Sequence, residues 1–109
     1  MTDDATTFPE AALLSDIDKV VHEPARLMIL ACLYVVKRAD FVFLLRQMGL
    51  SGGNLSSHLA KLEGAGYVDV TKTFSGKRPQ TILKLTRAGR NAFDGYRRTM
   101  REVLDSLPA

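Results

Sequence analysis

The order of elements between Gly49 and Arg90 constrains the fold more than any other feature of this chain. The segment predicts a helix with a small polar face, a strand, a basic turn, a second strand and the start of another helix. A helix of this kind fits a nucleic-acid groove, and a neighbouring hairpin can hold the phosphates beside it. The order of elements therefore favours a groove-binding domain.

Length and composition limit the remaining possibilities. The chain has 109 residues, which suffice for one hydrophobic core, and its 46% apolar and 25% charged residues describe an ordinary folded domain. No apolar run approaches the roughly 20 residues that cross a bilayer. The acidic N-terminus lacks the basic and apolar regions of a signal peptide. The single cysteine cannot form an internal disulfide, so we expect a cytoplasmic protein.

Charge is distributed unevenly along the chain. Residues 1–23 carry six acidic side chains and one basic side chain, whereas residues 24–109 carry fourteen basic and six acidic side chains. Such a split suggests a surface that faces a polyanion and a separate acidic end. An ordinary solvated surface would look the same, so charge alone does not decide between these interpretations.

The N-terminal part predicts an arm followed by two helices. Residues 1–9 are expected to form a flexible acidic arm, and residues 10–109 a single domain. Apolar spacing predicts a short helix from Glu10 to about Val21. Pro24 then restarts the chain at a first helical position, where its missing N–H is harmless. The helix from Pro24 to about Lys37 is apolar almost all round, which predicts a central, buried helix.

Two further helices follow in close succession. Asp40 can cap a helix from Phe41 to Met48, and Gly49 can close that helix in a left-handed conformation. Ser51 can cap the next helix, which ends at the break around Gly64. The spacing therefore predicts two short helices joined by a tight turn.

After this break the hydrophobic period changes from helix to strand. Alternation predicts a strand from Tyr67 to Thr73 and a second strand from Gln80 to Leu85, joined by the turn Ser75–Pro79. Thr86 can cap a long final helix that reaches about Leu107. The whole pattern predicts a small α+β domain.

The fourth predicted helix has two contrasting faces. Leu55, Leu59 and Leu62 fall on one narrow face, which we expect to be buried. The opposite face and its flanks carry small, hydrogen-bonding or cationic residues: Gly53, Asn54, Ser56, Ser57, Ala60 and Lys61. Small side chains let a helix sink into the major groove, which is about 12 Å wide, while Asn and Lys can hydrogen-bond base edges or phosphates.

Gly52 and Gly53 are locally unfavourable in the first turn of this helix. Each costs up to about 1 kcal/mol relative to alanine. One interpretation is close approach of bare backbone N–H groups to a phosphate. The other is that both glycines belong to the turn before a helix that starts later. The sequence leaves the two interpretations open.

The predicted hairpin turn is basic. Lys72, Lys77 and Arg78 lie at or near its tip, Gly76 permits a tight bend, and Pro79 keeps the departing strand extended. A solvated basic turn is common. Its place directly after a polar-faced helix favours phosphate binding, because phosphate contacts position a reading helix.

Motifs spread over two thirds of the chain match a known superfamily. They are His22–Arg26, Phe41–Leu45, Leu50–Ser51, Gly53–Leu59, Lys61–Glu63, Gly66–Val68, Gly76–Pro79, Leu85–Thr86 and Gly89–Arg90. On these residues the run from about Pro24 to Phe93 resembles the winged helix-turn-helix regulators of the MarR and ArsR superfamilies, most closely their small stand-alone group. The resemblance implies a helix-turn-helix at about 40–63, a recognition helix at about 52–63 and a wing at 74–79. The paired-cysteine motif of metal-sensing ArsR members is missing, so we expect no metal site of that type.

The resemblance and the face chemistry predict the same partner and one set of contacts. The predicted partner is double-stranded DNA, which the protein would bind as a homodimer. We expect a sequence-specific transcriptional repressor with no cofactor. Any small-molecule effector would have to bind between helices or between subunits. The predicted DNA contacts are Ser51, Gly53, Asn54, Ser56, Ser57, Lys61, Lys72, Lys77 and Arg78.

The final helix carries an apolar stripe. Its members, spaced three and four residues apart as in a coiled-coil seam, are Phe93, Tyr96, Met100, Val103 and Leu107. We predict that this stripe forms the dimer interface, because paired readers match a two-fold symmetric DNA site. Packing of the stripe on the chain's own core is the alternative.

Catalysis finds little support in the sequence. His22 and His58 have no clustered partners that resemble a metal site or a catalytic triad, and we expect His58 to pack and make a structural hydrogen bond. Cys32 lies in the most apolar helix, where a buried structural thiol is the default. We therefore predict no enzyme. The alternatives to a sequence-specific reader are a winged-helix protein–protein adaptor and a non-specific nucleic-acid binder.

Overall fold

The fold is known from a computed structural model that describes residues 15–108. Within these residues the elements are α1 (Pro24–Val36), β1 (Arg38–Asp40), α2 (Phe41–Met48), α3 (Gly52–Gly64), β2 (Val68–Ser75), β3 (Arg78–Leu85) and α4 (Arg87–Asp105). The strands form an antiparallel sheet in the order β1-β3-β2. This α+β arrangement confirms the predicted winged helix-turn-helix fold. The expected acidic arm at residues 1–9 lies outside the described residues.

Side-chain caps start the helices where the sequence predicted. The Asp40, Ser51 and Thr86 side chains each accept a hydrogen bond from the backbone N–H three residues later, over 2.7, 3.1 and 2.9 Å. Each bond satisfies one of the N–H groups that a helix start leaves unpaired. Gly49 closes α2 in the left-handed region, at φ 64°. The helix-turn-helix of α2 and α3 is therefore fixed by local chemistry at both of its ends.

The predicted helix from Glu10 to Val21 is wrong at its C-terminal end. Residues 10–14 lie outside the described part, Ser15 and Asp16 are helical, and residues 17–23 form turns and bends. The Asp18 side chain accepts hydrogen bonds from the N–H groups of Val20 and Val21, over 2.9 and 3.1 Å. An aspartate that binds the backbone ahead of it stabilises a turn in competition with a helix.

Strand β1 was not predicted from the sequence. It is three residues long, too short to show an alternating period, and it pairs with β3 from Arg38 opposite Lys84 to Asp40 opposite Ile82. Lys37 ends α1 with a positive φ of 70°, which turns the chain into this strand. The third strand ties the start of the helix-turn-helix to the wing sheet.

The wing strands are longer than predicted. Ser75 pairs with Arg78, so Gly76 and Lys77 alone form the turn, and Gly76 has a φ of 65°. A two-residue hairpin turn favours residues that tolerate positive φ, which glycine supplies without steric cost. The paired wing therefore runs to within two residues of its tip.

The core joins all the helices to one face of the sheet. Its buried apolar members are Val21, Ile29, Leu30, Leu33, Leu44, Leu55, Leu59, Leu62, Val68, Leu83, Phe93 and Tyr96. The central helix α1 is not buried all round, as the sequence suggested, because Met28 and Val35 are 57% and 77% exposed. One apolar face of α1 is therefore left uncovered by the rest of residues 15–108.

The start of α4 packs directly against the backbone at the start of β2. The Tyr67 carbonyl accepts a hydrogen bond from the Thr86 N–H over 3.0 Å. A Cβ atom added at Gly89 would overlap this same carbonyl and would lie 2.9 Å from the Leu85 side chain. Glycine is therefore required at position 89 by close approach.

We expect two glycine-to-alanine substitutions in α4 to have opposite effects. Gly89→Ala should destabilise the fold by about 2 kcal/mol or more, because the added methyl group overlaps backbone. At Gly95 the nearest atom to an added Cβ is the end of the Arg98 side chain at 3.6 Å. Gly95→Ala should therefore stabilise the fold by about 0.5–1 kcal/mol through helix propensity. Urea unfolding of both variants measures the difference, and equal effects would contradict the packing described for Gly89.

Candidate nucleic-acid interface

Burial of one leucine face turns the polar face of α3 outward. Leu55 and Leu62 are fully buried and Leu59 is 4% exposed, whereas Ser57 and Lys61 on the other side of the helix are exposed. The α3 boundaries place both Gly52 and Gly53 inside the helix. The interpretation in which the two glycines only form a turn before a later helix is therefore wrong.

The glycines at the start of α3 are not required by packing within the chain. No atom lies within 4 Å of an ideal Cβ at Gly52 or at Gly53. Their helix-propensity cost is thus not offset by a close contact in the described structure. This observation leaves close approach of an outside partner as the functional interpretation of Gly53, whose surface is exposed.

All the predicted DNA-contact residues are exposed, and they lie on two neighbouring elements. The α3 group and its cap are Ser51, Gly53, Asn54, Ser56, Ser57 and Lys61. The wing group is Lys72 on β2, Lys77 in the turn and Arg78 at the start of β3. The Ser51 hydroxyl already accepts the Asn54 N–H over 3.1 Å, so this side chain is partly committed to capping.

The basic residues of this surface are unpaired within the described part of the chain. Between residues 15 and 108, the only carboxylates within 4.0 Å of a basic side chain are Glu23, beside His58, and Asp94, beside Arg97. Lys61, Lys77 and Arg78 therefore keep their charges free of carboxylate partners there. Free cations on an exposed surface are available to phosphate oxygens.

A groove of about 370 Å³ separates α3 from the wing. Ser56, Ala60 and Glu63 line it from the helix, and Val70, Lys72 and Thr81 line it from the sheet. The face of the sheet that carries Lys72 therefore looks toward α3. Glu63 is the one acidic member of this groove, at the end of α3 distant from the cap.

A second groove contains an arginine that sequence reasoning missed. It measures about 430 Å³ and lies between the wing and the start of α2, with Arg46 and Arg78 contributing from the two sides. The Gln80 amide donates to the Asp40 carboxylate over 3.3 Å across the same region. The sequence could have indicated Arg46, because it is the single charged residue of α2 and lies in its last turn.

A nearly buried arginine connects α3 to the turn before α1. Arg26 is 8% exposed, and its Nε donates to the Val20 carbonyl over 2.7 Å. One of its terminal nitrogens lies 3.2 Å from Nδ1 of His58 on α3. Because a guanidinium only donates, Nδ1 of His58 accepts and its ring proton lies on Nε2. The expectation that His58 packs and makes a structural hydrogen bond is confirmed.

Glu23 completes this cluster. Its carboxylate accepts the Arg26 N–H over 2.8 Å and lies 3.9 Å from Nδ1 of His58. Burial alone would raise the pKa of Glu23, but the hydrogen bonds from the backbone N–H groups of Arg26 and Ala25 and the positive charge of Arg26 outweigh it and leave the pKa lowered. The cluster holds α3 against α1 through polar contacts at the edge of the core.

We expect Arg26→Ala to destabilise the fold by about 2–4 kcal/mol, because it removes the donors to the Val20 carbonyl and to His58 and leaves a cavity. Arg46→Ala is the matched control, since Arg46 is exposed and has no ion pair within residues 15–108. Its effect should stay within about 0.5 kcal/mol. Guanidinium unfolding compares the two, and a loss at Arg26 no larger than that at Arg46 would refute the anchoring role.

Two residues of the predicted dimer seam are buried in the chain's own core. Phe93 and Tyr96 are each 9% exposed. The Phe93 ring lies 5.3 Å from the Tyr34 ring between centroids, and the Tyr96 hydroxyl lies 2.8 Å from Nδ1 of His22. For this half of the stripe, packing on the chain's own core is the correct alternative.

The other half of the stripe is more accessible. Met100 and Val103 are half-buried, and Leu107 is 51% exposed. Leu104, which sequence reasoning left out, is 61% exposed. At helical spacing Leu104 continues the line of Phe93 and Met100, so the apolar stripe runs from the core to the last turn of α4, and Leu107 lies two residues beyond the end of the helix.

The described residues contain no arrangement typical of a metal site. Between residues 15 and 108 no three His, Cys, Asp or Glu side chains are grouped so that they could hold an ion. Cys32 is half-buried in α1, and this burial raises the pKa of its thiol. None of the helices in the same range is long and apolar enough to cross a membrane.

A family model described as a winged helix DNA-binding domain matches residues 25–104. The chain belongs to this family. The match spans α1 to the last turns of α4 and thus includes every described residue of the candidate interface.

Similar proteins extend this result. An uncharacterized protein from Methanocaldococcus jannaschii is 40% identical over 78 residues, which are 72% of this chain and 85% of that protein. A solved transcriptional regulator homologue from Pyrococcus horikoshii OT3 superposes with a TM-score of 0.82 at 29% identity, over 90% of this chain and 99% of the other. A MarR-family regulator from Silicibacter pomeroyi shares the fold, with a TM-score of 0.61 at 24% identity over 87% of this chain and 63% of that one. The predicted resemblance to winged helix-turn-helix regulators is confirmed.

Proposed function

We propose that this protein is a sequence-specific, double-stranded DNA-binding transcriptional regulator that represses as a homodimer. One observation carries the proposal: the outer face of α3 is small and free of acidic residues up to Glu63, and it lies beside a wing whose cations have no carboxylate partner in residues 15–108. The family match and the similarity to a regulator homologue support it.

In the proposed complex α3 enters the major groove with its first two turns. Asn54, Ser56 and Ser57 contact base edges there, because their groups both donate and accept hydrogen bonds. Lys61 meets a phosphate, and Gly53 allows the backbone to approach closely. The wing residues Lys72, Lys77 and Arg78 bind phosphates beside the groove and fix the register of α3.

The adaptor alternative requires a different surface. Protein–protein hot spots are enriched in large aromatic side chains and arginine. The exposed side of α3 from Gly53 to Lys61 carries no aromatic residue and no arginine. This chemistry favours DNA over a protein partner at α3.

We propose that the homodimer forms through the open end of α4. Leu104 in the last turn of α4 and Leu107 just after the helix are exposed, next to the half-buried Met100 and Val103. A two-fold dimer places two α3 helices about one DNA turn apart and matches a palindromic site, and bound DNA is then occluded from other proteins. Binding of a possible small-molecule effector between helices or subunits stays a prediction.

The decisive experiment is selection of bound duplexes from a random pool at near-physiological salt. A sequence-specific reader should enrich one motif with two related half-sites. Recovery of duplexes without any shared motif would support the non-specific alternative, and no retained duplex at all would support the adaptor.

We expect Ser57→Glu to lower affinity for the selected duplex by at least about 100-fold, because it places a carboxylate against bases and phosphates. Asn91→Glu is the matched control. Asn91 is exposed on α4, which begins at the end of the sheet opposite the wing tip, and this substitution adds the same charge. Circular dichroism should show an intact fold for both, and unchanged binding by Ser57→Glu would show that the reading face is misassigned.

We also expect Lys77→Ala to reduce the slope of log affinity against log salt by roughly one, because one fewer phosphate-bound counterion is released. Arg101→Ala removes one exposed charge from α4 and should leave the slope unchanged. Titrations at several salt concentrations measure both variants. An affinity that does not depend on salt in the wild-type protein would contradict the phosphate contacts.

For the dimer, we expect the double substitution Leu104→Asp and Leu107→Asp to give a monomer by sedimentation equilibrium, because it places charges in an apolar interface. Val35→Asp introduces a charge on the exposed apolar face of α1 and serves as the comparison. If the dimer persists after the α4 changes but dissociates with Val35→Asp, the interface lies on α1 and the proposal for α4 is wrong.

A further inference from the structure

The wing carries an exposed aromatic side chain among its cations. Phe74 on β2 is 68% exposed, more than any other aromatic side chain among the exposed large hydrophobic residues. It lies two residues after Lys72 and shortly before Lys77 and Arg78. A ring with two thirds of its surface in water gains little from burial within its own chain, so its position needs another explanation.

The strand period places Phe74 on the inner face of the wing. Side chains two residues apart on a strand share a face, so Phe74 lies on the same side as Val70 and Lys72. Val70 and Lys72 line the groove opposite α3. Phe74 is the next position outward on this face, and it lines neither groove. Phe74 therefore projects from the face of the sheet that looks toward α3, one position closer to the wing tip than the residues that line the groove.

The hairpin register places a rigid apolar neighbour beside the ring. Phe74 is directly opposite Pro79. Ser75 and Arg78 close the two-residue turn as a hydrogen-bonded pair, so the next pair, Phe74 and Pro79, is of the type without hydrogen bonds. Proline has no N–H to donate, and it therefore fits this position at no cost. Side chains are also closest in pairs of this type. The two rings together form a stiff apolar surface next to the phosphate-binding tip.

We propose that Phe74 inserts into the DNA minor groove beside the major groove that α3 reads, with its ring against deoxyribose and base edges. This inference rests on the proposed function. Phenylalanine and proline are among the apolar side chains that act as minor-groove wedges, because they bury against sugars and base steps. Lys77 and Arg78 at the tip would hold the flanking phosphates while the ring enters between them.

An apolar contact and a charge contact have different salt signatures. Phe74→Ala should weaken binding to the selected duplex by roughly tenfold or more, because burial of the ring is lost. The salt slope should stay that of the wild-type protein, since no phosphate-bound counterion is involved. Phe74→Leu keeps an apolar side chain and should retain most of the affinity. Val35→Ala is the matched control for loss of an exposed apolar group on α1, and we expect no effect on binding.

The location of the ring is tested by replacing Phe74 with a photoreactive benzoyl-phenylalanine in the full chain. In the complex with the selected duplex it should crosslink to nucleotides about half a helical turn from the bases that α3 reads. Crosslinks to a second protein chain, or no crosslink in a variant that binds the duplex, would overturn the inference. Unchanged affinity of Phe74→Ala for the duplex would also overturn the inference about the ring, but it would leave the proposed function intact. If the wild-type protein binds no selected duplex, the proposed function fails first.

Discussion

The rotation of α3 about its own axis decides which side chains reach a partner, and burial of its leucine face fixes that rotation. Leu55, Leu59 and Leu62 are all within the core, and exposing any one of them would cost about 1.5–3 kcal/mol. A turned helix would also place Ser57 and Lys61 in apolar surroundings, where polar groups are costly. The outward polar face is thus a consequence of core packing.

Polar contacts then fix where α3 lies along the rest of the domain. The Ser51 cap holds its start, and Arg26 joins the Val20 carbonyl to His58 in its middle. The sheet holds the wing on the other side, because β3 pairs both with β1, which leads into α2, and with β2. Helix α3 and the wing are therefore held on the same core, which is what simultaneous contact with a groove and its phosphates would require.

Elements set by local chemistry could be predicted from the sequence. Caps at Asp40, Ser51 and Thr86, the left-handed Gly49 and the bend at Gly76 each depend on one residue and its immediate neighbours. The exposed positions of α3 followed from its leucine spacing. These features placed the helix-turn-helix and the wing.

Features that depend on distant partners could not be predicted. The apolar spacing around Asp18 suggested a helix, but the aspartate side chain binds the N–H groups ahead of it and forms a turn. Strand β1 exists because β3 lies beside it. The apolar stripe of the final helix includes both Phe93, which is buried in the core, and Leu107, which is exposed. Periodicity predicts which residues share a face, but it does not predict what that face packs against. Arg26 is charged but nearly buried, because its guanidinium donates to the Val20 carbonyl and to His58. His58 lies 32 residues further along the chain, so the sequence around Arg26 does not reveal this contact.

We propose that the outer face of α3 and the inner side of the wing form one DNA-binding surface. Mapping of backbone amide chemical shifts during titration with a selected duplex tests it most directly. The largest changes should fall at Gly53, Ser57 and Lys77, with little change along the exposed face of α1 at Met28 and Val35. Changes confined to α1, with α3 and the wing undisturbed, would contradict the account.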